Sequence, residues 1–482
     1  MPAMEEKAAH FLVVTYPAQG HINPARHLAR RLVRATGARV TISTAVSACR
    51  KMFPGAGEVE NSGEFVDGAG VGYAPYSDGY DDGFDRAVHD PANYMSQIKV
   101  VGSRTLCGVL ERFRAAGRPV TRVVYTFLLP WVADVARDHG VPVAFYWIQT
   151  GAVLASYFHY FRGTDGADKS IAAAAAAGDC LAPVRVPGLP PLRLRDLPSF
   201  LTITSVDDPY AFLLSEFSDV VGALGRDDSP PVLVNTFDAL EPEALASLQQ
   251  HGVDVVAVGP VLSFLDATPA CDGKSGTAAS NDLFRQDNTG YLEWLDTQPA
   301  GSVVYISFGS MSVMSRRQIA EVASGMAESG RPFMWVLRKD NRGEDDGVAS
   351  SAGGERGVVV EWCDQTKVLS HPAMACFVTH CGWNSTLESV ACGVPVVCVP
   401  QWTDQGTNAW LVDLIGAGIR ATVSDEDGVL EASELRRCLD VATSETVRAK
   451  AALWKEKARA AVADGGSSDR NLRAFVAKSG AI

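Results

Sequence analysis

The chain has 482 residues, 47% of them hydrophobic, which is too long for one core and enough for two, and it carries a formal net charge of −13. That charge argues against nucleic acid or an anionic membrane as partner, and no window offers the roughly 18 uninterrupted apolar residues that would span a bilayer. Its 10 cysteines lack pairing rhythm, several lie in apolar strands (Cys376, Cys398), and the stretch from Met1 to Ala9 is charged rather than signal-like, so a cytosolic location with reduced thiols is expected.

Along the chain, apolar strands alternate with helical patterns, the signature of doubly wound α/β sheets. His10 to Thr15 reads as the first strand. Asn23 and Pro24 then supply an N-cap and a first helical residue, followed by Leu28 and Leu32 at helical spacing. Val40 to Ser43, Val123 to Tyr125 and Val143 to Trp147 continue this sheet, with Val232 to Asn235 near its end. The glycine- and aspartate-rich stretch from Gly163 to Lys169 and the alanine run from Ile171 to Gly178 read as a short helix or a disordered surface loop. A domain boundary is expected within Phe264 to Ser280, where Asp, Thr, Gly, Ser and Ala accumulate without periodicity. The second series of strands runs through Val303 to Ile306, Phe333 to Leu337, Val358 to Val360, Cys376 to Val378 and Val394 to Val399, interrupted by a polar, glycine-rich segment from Asp340 to Gly354. The outcome is two Rossmann-like halves. The expected division is 1–260, a linker at 261–290, a second domain at 291–464, and a C-terminal helix at 465–482 that packs back on the first domain.

In open α/β sheets ligands bind outside the carboxyl ends of the strands. His21 sits in the turn after the first strand. A lone histidine is more often structural, as His27 further on illustrates, but His21 follows Gly20 and precedes a helical pattern. A nicotinamide enzyme would need G-x-G-x-x-G at such a turn, and neither Pro17-Ala-Gln-Gly20 nor Phe308-Gly-Ser310 supplies it.

Between Trp362 and Gln405 the chain offers an aromatic plate, a donor-rich strand-to-helix turn, and acidic and amide groups. A helix beginning at Asn384 or Ser385 points unpaired N–H groups and the positive end of its dipole into the turn His380-Cys381-Gly382-Trp383, which favours phosphate oxygens, and Gly382 permits close approach. The plainer alternative is that Ser385 and Glu388 form only a capping box. Trp362, His380, Glu388, Asp404 and Gln405 converge from separate segments, which a solvated helix start does not require. Cys363, Cys376, His380 and Cys381 lack the paired spacing of structural zinc. Together these parts describe a pocket for a nucleotide diphosphate joined to a sugar.

This run resembles the signature box of the plant family-1 UDP-dependent glycosyltransferases. The similarity extends to Tyr16-Pro-Ala-Gln-Gly-His-Ile-Asn-Pro24, Trp294-Leu-Asp-Thr-Gln-Pro299 and Tyr305-Ile-Ser-Phe-Gly-Ser310, and so over essentially the whole chain. The closest subgroup is that of anthocyanidin 5-O-glucosyltransferase-like enzymes and those forming glucose esters of indole-3-acetate and crocetin. The resemblance implies a GT-B fold, two facing Rossmann-like domains with a cleft between them, and inverting transfer from UDP-glucose without a metal or other cofactor. It makes His21 the general base. Where the family usually places an aspartate behind this histidine, Tyr125-Thr126 through Pro130-Trp131 puts Thr126, whose hydroxyl can accept the Nδ1 proton but adds no charge. Asp134 is expected at the surface rather than in the dyad.

Carried over by position, Trp362 would stack on uracil, and Gln365 and Glu388 would bond ribose hydroxyls. His380, Asn384, Ser385 and Ser310 would meet the diphosphate, and Trp383, Asp404 and Gln405 would read the sugar, with the terminal glutamine favouring glucose. Gly20, Cys363 and Gly382 complete the expected donor contacts. The expected acceptor is a small aromatic or carboxylic molecule, such as a hormone acid or a flavonoid, and the neutral Thr126 points toward acidic ones. Tyr80, Phe84, Trp147, Gln149, Tyr157, Tyr160, Phe200 and Leu201 could line its cleft or belong to the core. If the missing aspartate is disabling, the alternative is a non-catalytic UDP-sugar-binding or regulatory protein.

Overall fold

The computed structural model describes residues 9–53, 64–85, 87–205, 207–208, 210–226, 228–262, 265, 290–341 and 356–479. Most of the expected linker, the boundary at Phe264 to Ser280 apart from Leu265, and nearly all of the polar segment from Asp340 to Gly354 lie outside these residues. The strands are β1 His10–Val14, β2 Arg39–Ser43, β3 Phe65–Val66, β4 Gly72–Tyr73, β5 Arg122–Thr126, β6 Val143–Trp147, β7 Pro183–Val184, β8 Leu192–Arg193, β9 Val232–Val234 and β10 Val255–Ala257, then β11 Val303–Ser307, β12 Phe333–Val336, β13 Gly357–Val360, β14 Met374–Thr379, β15 Val396–Cys398 and β16 Gly418–Arg420.

Eight strands form one sheet in the order β10-β9-β6-β5-β1-β2-β4-β3, six form a second in the order β13-β12-β11-β14-β15-β16, and β7 and β8 make a small hairpin. The second sheet is parallel throughout, and in the first only β3 runs antiparallel, on β4. Val13 stands opposite Ile42 on one side and Val124 on the other, and Ile306 lies between Trp335 and Val378. Such strands are buried on both faces, which is why they read as continuous apolar runs instead of alternating ones. Among the described residues no helix is long and apolar enough to cross a membrane.

The strand order also places the chemistry. From β1 the chain moves to β2 on one side and returns to β5 on the other, and from β11 it moves to β12 and returns to β14. Adjacent loops diverge at these two points, leaving a crevice at the carboxyl ends of β1 and β5 in one sheet and of β11 and β14 in the other. His21 and Thr126 lie at the first crevice. Ser310 and the His380–Ser385 turn lie at the second.

One local expectation needs correction, and one open alternative is decided. The first helix is Gln19–Thr36, a turn earlier than Asn23, with Ala18 as an N-cap that makes no side-chain bond and Pro24 inside the helix. His21 therefore occupies the first helical turn, its N–H bonded to the Ala18 carbonyl at 2.9 Å. The alanine run is the helix Ala167–Ala177, anchored by buried Ile171 and Ala174. The final helix, Ser467–Ser479, lies against Gln19–Thr36 and β10, with buried Leu472 and Phe475 in the first core, the Phe475 ring 6.0 Å from that of Phe11, and Ser468 Oγ donating to the Gly259 carbonyl at 2.6 Å.

Candidate functional site

On the N-terminal side, the His21 ring is enclosed by Tyr16 and Phe127, with centroids 5.2 and 4.5 Å away. Its Nδ1 lies 3.4 Å from the Thr126 hydroxyl. Thr126 is fully buried, its Oγ accepts from the Tyr16 N–H at 3.4 Å, and it donates to Thr15 Oγ at 3.5 Å. The single threonine proton is thus used on Thr15, so the His21 bond needs Nδ1–H as donor, leaving the Nε2 lone pair for an acceptor proton. No charge offsets burial here, and desolvation lowers the imidazole from 6.5 to about 3. His27, by contrast, gives its Nδ1 to the Val261 carbonyl at 3.2 Å, a structural bond. Asp134 is on the surface, paired with Arg137 at 2.9 Å.

On the C-terminal side, the helix is Trp383–Cys392, and its N-cap is Gly382 without a side-chain cap bond. Ser385 and Glu388 do not form a capping box. Both are drawn instead to Gln365, whose Nε2 donates to Ser385 Oγ at 2.8 Å and to Glu388 Oε2 at 2.6 Å while its Oε1 accepts from the Tyr305 hydroxyl at 3.2 Å. The Gln365 amide is therefore engaged within the protein, and its evident effect is to orient Glu388 and Ser385. Cys363 is buried, its Sγ 3.3 Å from the Tyr305 hydroxyl, and the thiol is pushed up to about 12 by desolvation. Its side chain faces inward, so only its backbone could meet a ligand. Trp362 stays partly exposed.

The His380 ring is wedged between two glycines: a Cβ at Gly309, where φ is +77°, would lie 2.6 Å from the ring, and one at Gly382 would lie 2.8 Å from it. Neither position can carry a side chain without displacing His380. The following Cys381 is held at φ +65°, an uncommon conformation outside glycine, so the turn is bent tightly just before the helix start. This arrangement leaves the N–H groups of the first helical turn, with Ser310 opposite, available to an anion. Among the described residues no three His, Cys, Asp or Glu side chains converge as a metal site would require.

The two sides meet. Pro24 has no N–H, so the Gly20 carbonyl four residues earlier lacks its helical partner, and it accepts from Asn384 Nδ2 across the cleft at 3.2 Å. One residue from the candidate base, the first half is thus tied to the start of the helix Trp383–Cys392. Trp383 makes a second crossing. Its indole is buried among Phe237, Leu240 and Leu411, and Nε1 donates to the Asn235 carbonyl at 2.8 Å. The ring bridges the halves, so only the backbone of Trp383 is left to meet a sugar.

Asp404 and Gln405 are both buried at the start of the helix Gln405–Leu414. Asp404 accepts from Thr403 Oγ and Asn408 Nδ2, both at 2.8 Å, and burial raises its carboxyl. Gln405 Oε1 accepts from the N–H groups of Gln401 and Trp402 at 2.8 and 3.1 Å, so its amide NH2 is the end left for a sugar hydroxyl.

Rings run in contact from His21 toward the Asp404 turn: Phe127, Phe217 at 5.7 Å, Phe200 at 5.9 Å and Trp402 at 6.3 Å. On the other side Tyr16 leads to Tyr94 at 6.3 Å and on to Phe84 at 4.4 Å, with Tyr80 beside them. Phe84 and Tyr80 stay partly exposed, whereas Phe200, like Phe127 and Phe217, is buried in the first core together with Tyr157 and with Trp147, which is bonded to the Thr150 carbonyl. Tyr16, Tyr94 and Trp402, also partly exposed, were not singled out from sequence, since only packing separates them from other aromatics.

Burial lowers five histidines: His21 and His27 to about 3, and His10, His159 and His380 to about 4. Each is neutral in the fold and titrates near 6.5 when unfolded, so below that pH the unfolded chain binds more protons. Their stabilisation is complete above pH about 6.5 and is lost as pH falls toward 4. The thermal midpoint is accordingly expected to drop steadily between about pH 6.5 and 5; a flat midpoint over that range would contradict the burial of these rings.

A family profile described as UDP-glucoronosyl and UDP-glucosyl transferase matches residues 281–436. Crocetin glucosyltransferase, chloroplastic, of Gardenia jasminoides is 44% identical, the match covering 98% of this chain and 97% of that protein. Phloretin 4'-O-glucosyltransferase of Malus domestica is 42% identical, with 97% of each covered. Among solved structures, Os79 from O. sativa in complex with UDP superposes with a TM-score of 0.80 at 32% identity, over 97% of this chain and 100% of that one. Phytolacca americana UGT2 complexed with UDP-2fluoro-glucose and pterostilbene gives a TM-score of 0.74 at 27% identity, over 98% and 100%.

Proposed function

Since the chain belongs to the UDP-glucoronosyl and UDP-glucosyl transferase family and has its GT-B fold, we propose that it moves glucose from UDP-glucose, with inversion, to a small aromatic acceptor, by preference through a carboxyl or phenolic group. The observation that carries this reading is the bond from Asn384 to the Gly20 carbonyl, which brings the base-bearing turn up to the turn built for phosphate.

In this reading His21 Nε2 takes the acceptor proton, or orients an acceptor already ionised, and the oxygen attacks the anomeric carbon from the face opposite UDP. The leaving diphosphate meets the N–H groups at the start of Trp383–Cys392, with Ser310 and His380, so fixed dipoles stabilise it in place of a metal. Uracil stacks on Trp362, and Glu388, oriented by Gln365, receives the ribose hydroxyls. Asp404 and the Gln405 amide read the sugar.

Acceptor preference follows from basicity and shape. An imidazole held near 3 and backed by a neutral threonine is a weak base for an aliphatic alcohol, whereas a carboxylic acid arrives ionised. The bound diphosphate adds negative charge that favours the imidazolium, which narrows the gap for phenols. The partly exposed rings of Tyr16, Tyr80, Phe84 and Tyr94 suit a flat aromatic body. The cytosol is the proposed location, consistent with the free thiols, and cell fractionation tests it, because the Gardenia relative is named chloroplastic.

The test is mass-spectrometric detection of glucosides from purified protein, UDP-glucose and a panel of carboxylic acids, phenols and alcohols, followed by mild alkali. Alkali-labile esters are expected to dominate. Products stable to alkali would sink the preference for acids, and binding of UDP-glucose with no product from any acceptor would make the protein a UDP-sugar binder.

A further inference from the structure

We propose that Ser199, in the N-terminal half, is a positioning residue for the donor sugar, acting through the backbone of Thr403; this rests on the reading of Asp404 and Gln405 as the sugar-facing residues. Thr403 has φ +58°, a left-handed conformation that a β-branched residue resists. Both of its backbone polar groups are taken by one residue across the cleft. The Thr403 N–H donates to Ser199 Oγ at 2.7 Å, and the Ser199 N–H donates to the Thr403 carbonyl at 2.8 Å.

This lock has consequences one residue away. In its strained turn Thr403 donates through Oγ to Asp404 Oδ1, while Asn408 holds Oδ2, so the carboxylate is fixed from both ends. The N–H groups of Gln401 and Trp402, just before Thr403, hold Gln405 Oε1 and thereby turn its amide NH2 outward. If Thr403 relaxed to a common backbone conformation, both arrangements would be lost together.

The segment around Ser199 is itself held against the C-terminal domain. Arg420 Nη1 reaches Asp196 Oδ1 at 2.8 Å and Nη2 the Arg195 carbonyl at 3.1 Å, and Thr407 Oγ donates to the Asp196 carbonyl at 2.7 Å. A Cβ at Gly406 would lie 2.5 Å from the Arg195 carbonyl oxygen, so the glycine allows the two backbones to touch. The sugar-reading turn therefore takes its shape from the opposite domain. The nucleotide groups Trp362, Gln365, Ser385 and Glu388 have no part in this contact, so sugar and nucleotide recognition are separable.

Ser199→Ala removes the acceptor for the Thr403 N–H and leaves the reverse bond. Its KM for UDP-glucose is expected to rise about three- to tenfold, the worth of one hydrogen bond, and its preference for UDP-glucose over UDP-galactose to shrink, with the inhibition constant of UDP and the acceptor KM unchanged. Ser199→Thr keeps the hydroxyl and the wild-type donor KM. Thr403→Gly, which adopts positive φ without a lock but loses the Oγ bond to Asp404, is expected to make the donor KM insensitive to Ser199→Ala. An equal rise in the UDP inhibition constant, or no change in donor KM or sugar preference, overturns the proposal. Wild-type enzyme that UDP does not inhibit would instead refute the donor reading beneath it. Should Ser199→Ala fail to fold, Ser199→Cys, near in size with a weaker acceptor, carries the same comparison.

Discussion

His21→Ala is expected to lower glucosyl transfer to phenols by about 10²- to 10⁴-fold, the usual range for a lost general base, while UDP-glucose still binds. The ring touches Tyr16, Phe127 and Thr126, all in the N-terminal half, so its loss does not disturb Gln365, Ser385 or Glu388. The loss should be smaller for carboxylic acids, which need no proton removed at neutral pH and use the ring only for alignment. Steady-state rates with one acid and one phenol, alongside UDP inhibition, measure both effects. Unchanged turnover with a phenol would remove His21 from the reaction, and an equal loss for both acceptors would remove proton abstraction as the explanation.

Thr126→Asp has the second largest expected effect, and its direction is upward. The Thr126 hydroxyl accepts from the Tyr16 N–H and meets His21 Nδ1, both at 3.4 Å, and donates to the Thr15 hydroxyl at 3.5 Å, a group that can itself turn to donate. A carboxylate there could accept from all three and would favour imidazolium, raising His21 from about 3. Turnover of hydroxyl acceptors is then expected to rise on the order of tenfold or more, with the acid limb of the pH–rate profile displaced to higher pH and the rate with acids little altered. Some thermal stability is expected to be lost, because Thr126 is fully buried and the new charge must be desolvated. An unchanged ratio between acid and hydroxyl substrates, in a folded variant, would show that the neutral partner does not set acceptor choice.

The fold was largely legible because parallel strands advertise themselves as short apolar runs. β6 was anticipated to the residue, and the other main strands differ by a residue or two at their ends. The strands that escaped are brief: β3, β4, β7 and β8 have two residues and β10 and β16 three, too few to show a period. The first helix was placed late because Asn23-Pro24 is a strong local start signal. Here the proline is accommodated within the helix and its missing hydrogen bond frees the Gly20 carbonyl for Asn384.

Sequence by itself determined the chemistry at hand: a histidine after the first strand, a phosphate-type turn before a helix in the second half, a carboxylate and amide beyond it, and a threonine where an aspartate is usual. Residue type and spacing suffice for these because strand-to-turn-to-helix geometry is local. Tertiary structure alone decided how those groups are used. It turned Trp383 into a bridge between the halves, spent the Gln365 amide on Glu388 and Ser385, and tied Thr403, beside Asp404, to Ser199, which is 204 residues away in the chain. These outcomes depend on which buried polar groups find partners across the cleft, and hydrogen-bond partners that far apart leave no periodic trace in the order of residues.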